Sequence, residues 1–154
     1  MKSGIEITMK QVLDLMCQIV GEYGIDYQYE PPVGIDYQYE PPVGGNCVNW
    51  DRAGDCPSCL IGHIMFRLGV PKDFLSPNAS LDAGPLLDGI AVHFGATWED
   101  GVSEVLQEAQ LMQDAGRRWG EALRVALIVH AEIVAKRFAK EAGTPKVLIV
   151  EGEV

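Results

Sequence analysis

Residues Gly24–Val43 are one ten-residue segment, Gly-Ile-Asp-Tyr-Gln-Tyr-Glu-Pro-Pro-Val, written twice in succession and closed by Gly44-Gly45. Each unit ends near a Pro-Pro pair, and proline offers no N–H to a helix or an inner strand. The residue before a proline is pushed into extended backbone as well, which takes Glu30 and Glu40 out of helical space. No helix or central strand can run through this stretch, so the regular structure must form on either side of it. Residues 24–45 are read as an irregular Pro/Tyr-rich connector inside a single domain spanning residues 1–154. Two copies of ten residues are too few and too short for a solenoid, which stacks longer units in larger number. A duplication here lengthens a surface loop at small cost, because closure entropy grows only with the logarithm of length. The two units also hold Tyr27, Tyr29, Tyr37 and Tyr39, four of the five tyrosines. A partner-binding extended arm is therefore the alternative to a tolerated insertion.

The flanking sequence is helical in pattern. Thr8 and Gln11 form a Thr-x-x-Gln capping box ahead of Met9, Val12, Leu13, Met16, Ile19, Val20 and Tyr23, which share one helical face; Gly24 stops the helix. Cys17 lies near that stripe and reads as a small core residue. After a β-favourable run, Cys47–Trp50, and a turn at Gly54, Ser58 is placed to cap a helix to Leu68, ended by Gly69. Pro71–Leu75 suits one helical turn. Pro85 opens a helix to Phe94, as proline does at a first helical position. Thr97 and Asp100 resemble a looser capping box for a helix from about Trp98 to Ala115, with Val102, Val105, Leu106, Ala109 and Met112 inward. The last helix, from about Arg118 to Ala142, is apolar around so much of its circumference that it reads as the central one. The tail Lys146–Val150 is β-branched and suits pairing with Cys47–Trp50. Together these elements predict a mainly α protein: a compact bundle of about five helices with a small β-hairpin or a two- to three-stranded sheet.

Charge and hydropathy exclude several function classes. The net charge is −10, with seventeen acids and five bases in residues 1–115 and five acids and seven bases in residues 116–154. Phosphate neutralisation needs a basic patch, so no nucleic-acid partner is expected. No run approaches the ~18 apolar residues of a membrane span, and no membrane association is expected. The N-terminus MKSGIEITMK has no apolar stretch after its lysine, so it does not read as a secretory signal. A reducing cytoplasm is the expected location, and Cys17, Cys47, Cys56 and Cys59 are then thiols or metal ligands rather than disulfides.

One constellation has metal-ligand chemistry: Cys47, Cys56, Cys59 and His63. Cys56-Pro-Ser-Cys59 is a CxxC on a turn entering a helix, and His63 follows Cys59 by one helical turn. Three thiolates and an imidazole can close a tetrahedral zinc site, although the usual pattern has two close ligand pairs and here Cys47 stands alone. A CxxC at a helix N-terminus is also a redox arrangement, and buried structural cysteines are the third reading. Zinc is thus the one cofactor in view. The sequence has no Gly-x-Ser-x-Gly elbow, no phosphate-binding glycine loop and no His-Glu-x-x-His. His63, His93 and His130 each sit among apolar neighbours on separate helices. No catalytic residue is assigned.

Two stretches, Cys47-Val-Asn-Trp50 with Pro57-Ser-Cys-Leu-Ile-Gly-His-Ile-Met-Phe-Arg-Leu-Gly-Val-Pro71, and Gln110-Leu-Met-Gln-Asp-Ala-Gly-Arg-Arg-Trp-Gly-Glu-Ala-Leu123, cover about a quarter of the chain. They resemble a group of small uncharacterised proteins of actinobacteria and their phages. The resemblance implies a shared scaffold, in which an aromatic hairpin leads into a Cys-Leu-x-Gly helix and a Gln-Asp…Trp…Ala-Leu stretch begins the last helix. It implies an actinobacterial or phage origin and brings no activity. The duplicated connector is not part of it. The function expected is that of a small non-enzymatic, phage-encoded accessory protein in the host cytoplasm, acting by protein–protein binding or self-association. The alternatives are a zinc-stabilised binding module and an enzyme whose site is assembled from distant residues.

Overall fold

A computed structural model describes residues 4–30 and 48–143. Cys47, Tyr37, Tyr39, the second copy of the duplication and the expected tail strand Lys146–Val150 lie outside the described residues. In chain order the elements are β1 (Glu6–Ile7), α1 (Met9–Tyr23), β2 (Trp50–Asp51), β3 (Cys56–Pro57), α2 (Leu60–Arg67), α3 (Lys72–Leu75), α4 (Ala83–Phe94), β4 (Thr97–Trp98), α5 (Val102–Asp114) and α6 (Trp119–Glu141). The protein is mainly helical, with one two-stranded antiparallel sheet and one two-stranded parallel sheet among the described residues.

Helix α1 begins as its sequence requires. The Thr8 side chain accepts from the Gln11 amide, and the Gln11 side chain accepts from the Thr8 amide. Its stripe from Met9 to Val20 is buried. Cys17, expected inside, is exposed, because it sits one position off that stripe. Helix α2 is the centre of the fold. Leu60 through Met65 are all buried, and α1, α3 and α5 pack around it. Its N-cap is Cys59 rather than Ser58: the Cys59 sulfur accepts from the Gly62 amide at 3.4 Å.

Two further helix starts differ from expectation. Thr97–Trp98 does not start a helix; it pairs in parallel with Glu6–Ile7, and α5 starts after Gly101, whose φ of 92° suits glycine. Glu99 instead serves the other end of the chain, accepting from the Met9 amide at the start of α1. Pro85 is not the first residue of its helix, since α4 starts at Ala83.

The largest correction concerns α6. It is peripheral, not central: only Trp119, Ala122 and Ala126 are fully buried. It packs on α5 and α1, while Leu127, Ile128 and Phe138 remain 44%, 46% and 68% exposed. Apolar residues on two faces signal two packing surfaces, and the described residues of this chain cover one of them.

Candidate functional site

Residues 24–30, the described part of the connector's first copy, pack against the body. Trp119 and Gly120, the first residues of α6, donate their amides to the carbonyls of Tyr27 (2.8 Å) and Ile25 (3.0 Å), which occupies two of the donors a helix start leaves unpaired. Gln28 bridges Arg118 in antiparallel fashion and its side chain donates to the Gly116 carbonyl. Asp26 forms an exposed ion pair with Arg118. A Cβ on Gly120 would stand 2.5 Å from the Ile25 oxygen, so glycine is needed for this approach.

The docked strand builds an aromatic cluster. Tyr27 meets Trp119 edge-to-face with ring centres 4.5 Å apart, and Tyr23 meets both at 4.9 Å. His63 faces Tyr23 and Trp119, with the Tyr23 hydroxyl 3.2 Å from its Nε2. Burial, helped by the nearby Arg67 cation, lowers the His63 pKa to about 4. Burial raises the Tyr27 hydroxyl. Tyr29 reaches the other way: its hydroxyl accepts from the Val48 amide at 3.2 Å and lies 3.4 Å from Ser58 Oγ. Tyr27 and Tyr29 are therefore half-buried and joined to the body.

The residues of the two sequence motifs hold helices together. Asn49 is fully buried; its side-chain amide donates to the carbonyls of Leu81 (2.8 Å) and Asn78 (3.3 Å), and its Oδ1 accepts from the Cys59 thiol. A Cβ on Gly62 would overlap the Asn49 carbonyl, so the glycine lets the hairpin backbone lie against α2. Gln113 Oε1 accepts from the Leu60 amide (2.9 Å) and from Trp119 Nε1 (3.1 Å), linking the starts of α2 and α6. Gln110 Oε1 accepts from the Ala83 amide at the start of α4. Trp50 packs against Phe66, whereas Trp119 belongs to the tyrosine cluster, so the two tryptophans anchor different seams.

Of the expected metal set, Cys59 caps α2 and His63 lies within it, both buried; Cys56 is exposed on the hairpin, and Cys47 lies outside the described residues. The Cys59 sulfur bonds Gly62 and Asn49, and His63 faces Tyr23. Among the described residues no group of three His, Cys, Asp or Glu side chains is arranged to hold a metal. Burial, with Asp51 and Asp55 nearby, raises the Cys56 thiol, the opposite of the shift a reactive thiolate requires. An open groove of about 490 Å³ lies between β1, α1 and the end of α2, lined by Ile5, Ile7, Leu15 and Leu68 with Gln11, Asp14 and Arg67. It contains neither a thiol nor an imidazole, and Arg67 is paired with Glu22.

Site and fold thus define a mainly helical protein whose polar motif residues serve its architecture. No protein family, curated protein or solved structure matches the chain. No described helix is long and apolar enough to cross a membrane.

Proposed function

We propose that this is a small non-enzymatic accessory protein, phage-encoded, that acts in the host cytoplasm by binding another protein or a second copy of itself. The observation that carries the reading is the outer face of α6, where Leu127, Ile128 and Phe138 stand in the open. Apolar side chains grouped on one helix face mark an interaction surface. The polar residues of the motifs support it from the other side, because Asn49, Gln110 and Gln113 are engaged in hydrogen bonds that hold the elements of the fold together. His63, the one buried histidine, is held neutral beside a tyrosine and a tryptophan, a core environment rather than a proton-transfer relay.

Light scattering on the purified chain, together with capture experiments against host lysate using wild type and Phe138→Glu as baits, tests the reading. Self-association, or a partner retained by wild type and lost by the variant, is the expected result. A monomer that retains nothing in a Phe138-dependent manner overturns it.

A further inference from the structure

Helix α6 carries two apolar stripes. At 100° per residue, Ala122, Ala126, Val129 and Ile133 lie together, and this is the face that meets the body: Ala122 and Ala126 are buried, and Val129 and Ile133 pack against the core. The second stripe, Leu127, Ala131, Val134 and Phe138, lies roughly 130° around the axis. Its spacing alternates four, three and four, the pattern by which one helix packs along another. Extending the same spacing reaches Arg124 at one end and Glu141 at the other.

That register is self-complementary. Two copies of α6 laid antiparallel about a twofold axis between Glu132 and Ile133 place Leu127 against Phe138 of the second copy. Ala131 then meets Val134 of the second copy, and Arg124 meets Glu141 of the second copy at both ends of the seam. The small residues meet at the centre of the seam, the large ones flank them, and each end closes on opposite charges. The parallel arrangement would set Arg124 against Arg124 and Glu141 against Glu141. Lys136, Arg137 and Lys140 lie toward the body side by the same 100° geometry, and Arg137 donates to the Asp100 carbonyl. On each helix the body-facing stripe lies well over 90° around the axis from the seam, which directs the two bodies away from the helix–helix contact. The charge distribution agrees, since residues 116–154 hold more bases than acids while residues 1–115 hold seventeen acids to five bases. Two copies that meet through α6 keep their acidic parts apart.

We infer that the outer stripe of α6 is a homodimer surface, formed by antiparallel pairing through Leu127, Ala131, Val134 and Phe138 and closed by Arg124 and Glu141. This rests on the binding reading above and names its partner. A seam of about 26 Å is short, which places the dimer among small, weak interfaces.

Sedimentation velocity of the full chain between about 5 and 200 µM tests it. Wild type shifts from monomer to dimer across that range, and Phe138→Glu stays monomeric with an unchanged helical spectrum. Arg124→Glu weakens association roughly tenfold or more, and the double reversal Arg124→Glu with Glu141→Arg restores it, which a merely structural role would not produce. A monomer at every concentration overturns the inference, including a chain that dimerises only after truncation beyond residue 143, because the tail would then be the occupant. A dimer insensitive to Phe138→Glu overturns it too. If the chain is monomeric yet captures a partner in a Phe138-dependent way, this inference fails while the broader binding reading stands; if nothing is captured, both fail.

Discussion

Helices α2 and α6 are both dominated by apolar residues, and they occupy opposite places in the fold. Helix α2 has eight residues and buries the first six, Leu60 through Met65. Helix α6 has twenty-three and buries three of them completely. Apolar content therefore reports how much surface a helix has to cover, and not whether its own chain does the covering. In α2 the surface is enclosed by α1, α3, α5 and the β2–β3 hairpin, and the buried side chains of Asn49 and Gln113 beside it are hydrogen-bonded, whereas the buried Trp50 indole N–H has no partner among the described residues. In α6 the N-terminal half is tied to α5 and to the first copy of the duplicated segment, and the outer stripe is left open. The two helices should respond to substitution very differently.

The sharpest break is Gly62→Ala at the centre of α2. The new Cβ would overlap the backbone of Asn49, which cannot move without disturbing the Asn49 bonds to Leu81, Asn78 and Cys59. Overpacking against backbone, less the ~1 kcal/mol that alanine gains over glycine in a helix, should cost upwards of about 3 kcal/mol. Urea denaturation reads it, and a loss below about 1 kcal/mol would show that the hairpin is not pressed on α2 as described.

Gln113→Ala attacks the link between the two helices. It leaves the Leu60 amide and the Trp119 indole N–H without the oxygen they share, and buried unpaired donors are costly. The expected loss is about 2–3 kcal/mol, visible in the same denaturation experiment, with Gln113→Glu no rescue because it buries a charge.

How far this could be read from sequence differs between residues. The α1 capping box and the α5 stripe were legible because both are local and periodic. The parallel pair of Glu6–Ile7 with Thr97–Trp98 was not, since two-residue strands carry no alternation and their partners are far apart in the chain. Gln110 and Gln113 did leave a signal: they fall on the same helical face as Leu106 and Ala109, and an amide inside an apolar stripe implies a buried bond. The docked strand left one too, in the alternation of Ile25, Tyr27 and Tyr29, which the Pro-Pro pairs overshadowed. The peripheral place of α6 left none, because its two stripes look alike and only tertiary packing distinguishes them.

Acid sharpens the view of the junction between α2, α5 and α6. The His63 pKa is lowered to about 4, so below its ordinary value near 6.5 the unfolded chain binds the extra proton and stability falls as pH drops from about 6.5 to 4. Asp114, raised to about 6 mainly by burial, acts in the opposite sense: its contribution is present below about 4 and lost as pH rises toward 6. The two slopes oppose each other, and the wild-type profile between pH 4 and 6 should be shallow. Asp114→Asn removes one of them. The variant should lose about 2 kcal/mol between pH 7 and 4, and adding His63→Gln should remove most of that slope. A wild-type slope equal to that of Asp114→Asn would mean that Asp114 titrates as an ordinary carboxyl.

Removing ten residues from the duplication should do far less. The copies are identical, so deleting residues 24–33 or 34–43 yields the same polypeptide, and the segment contacting Tyr23, Trp119 and Gly120 is retained. The link between Glu30 and Val48 shortens from seventeen residues to seven, which span up to about 23 Å, and the Tyr29 hydroxyl already touches the Val48 amide. The closure term favours the shorter chain by no more than about 0.8 kcal/mol. A loss of stability instead would assign a structural role to the additional copy.

The smallest effect belongs to the outer face of α6, and it returns to the contrast with α2. Phe138→Ser exchanges two residues of similar helix propensity at a site where the ring is already 68% exposed. At concentrations too low for association, stability should change by less than about 0.5 kcal/mol, whereas Ile64→Ser inside α2 leaves a cavity and buries a hydroxyl and should cost on the order of 3–4 kcal/mol. The informative outcome is the exception. If dilute Phe138→Ser loses more than about 1.5 kcal/mol, the stripe is covered from within one chain, and α6 resembles α2 after all; if it loses nothing, its apolar outer surface is maintained for something that a single chain does not provide.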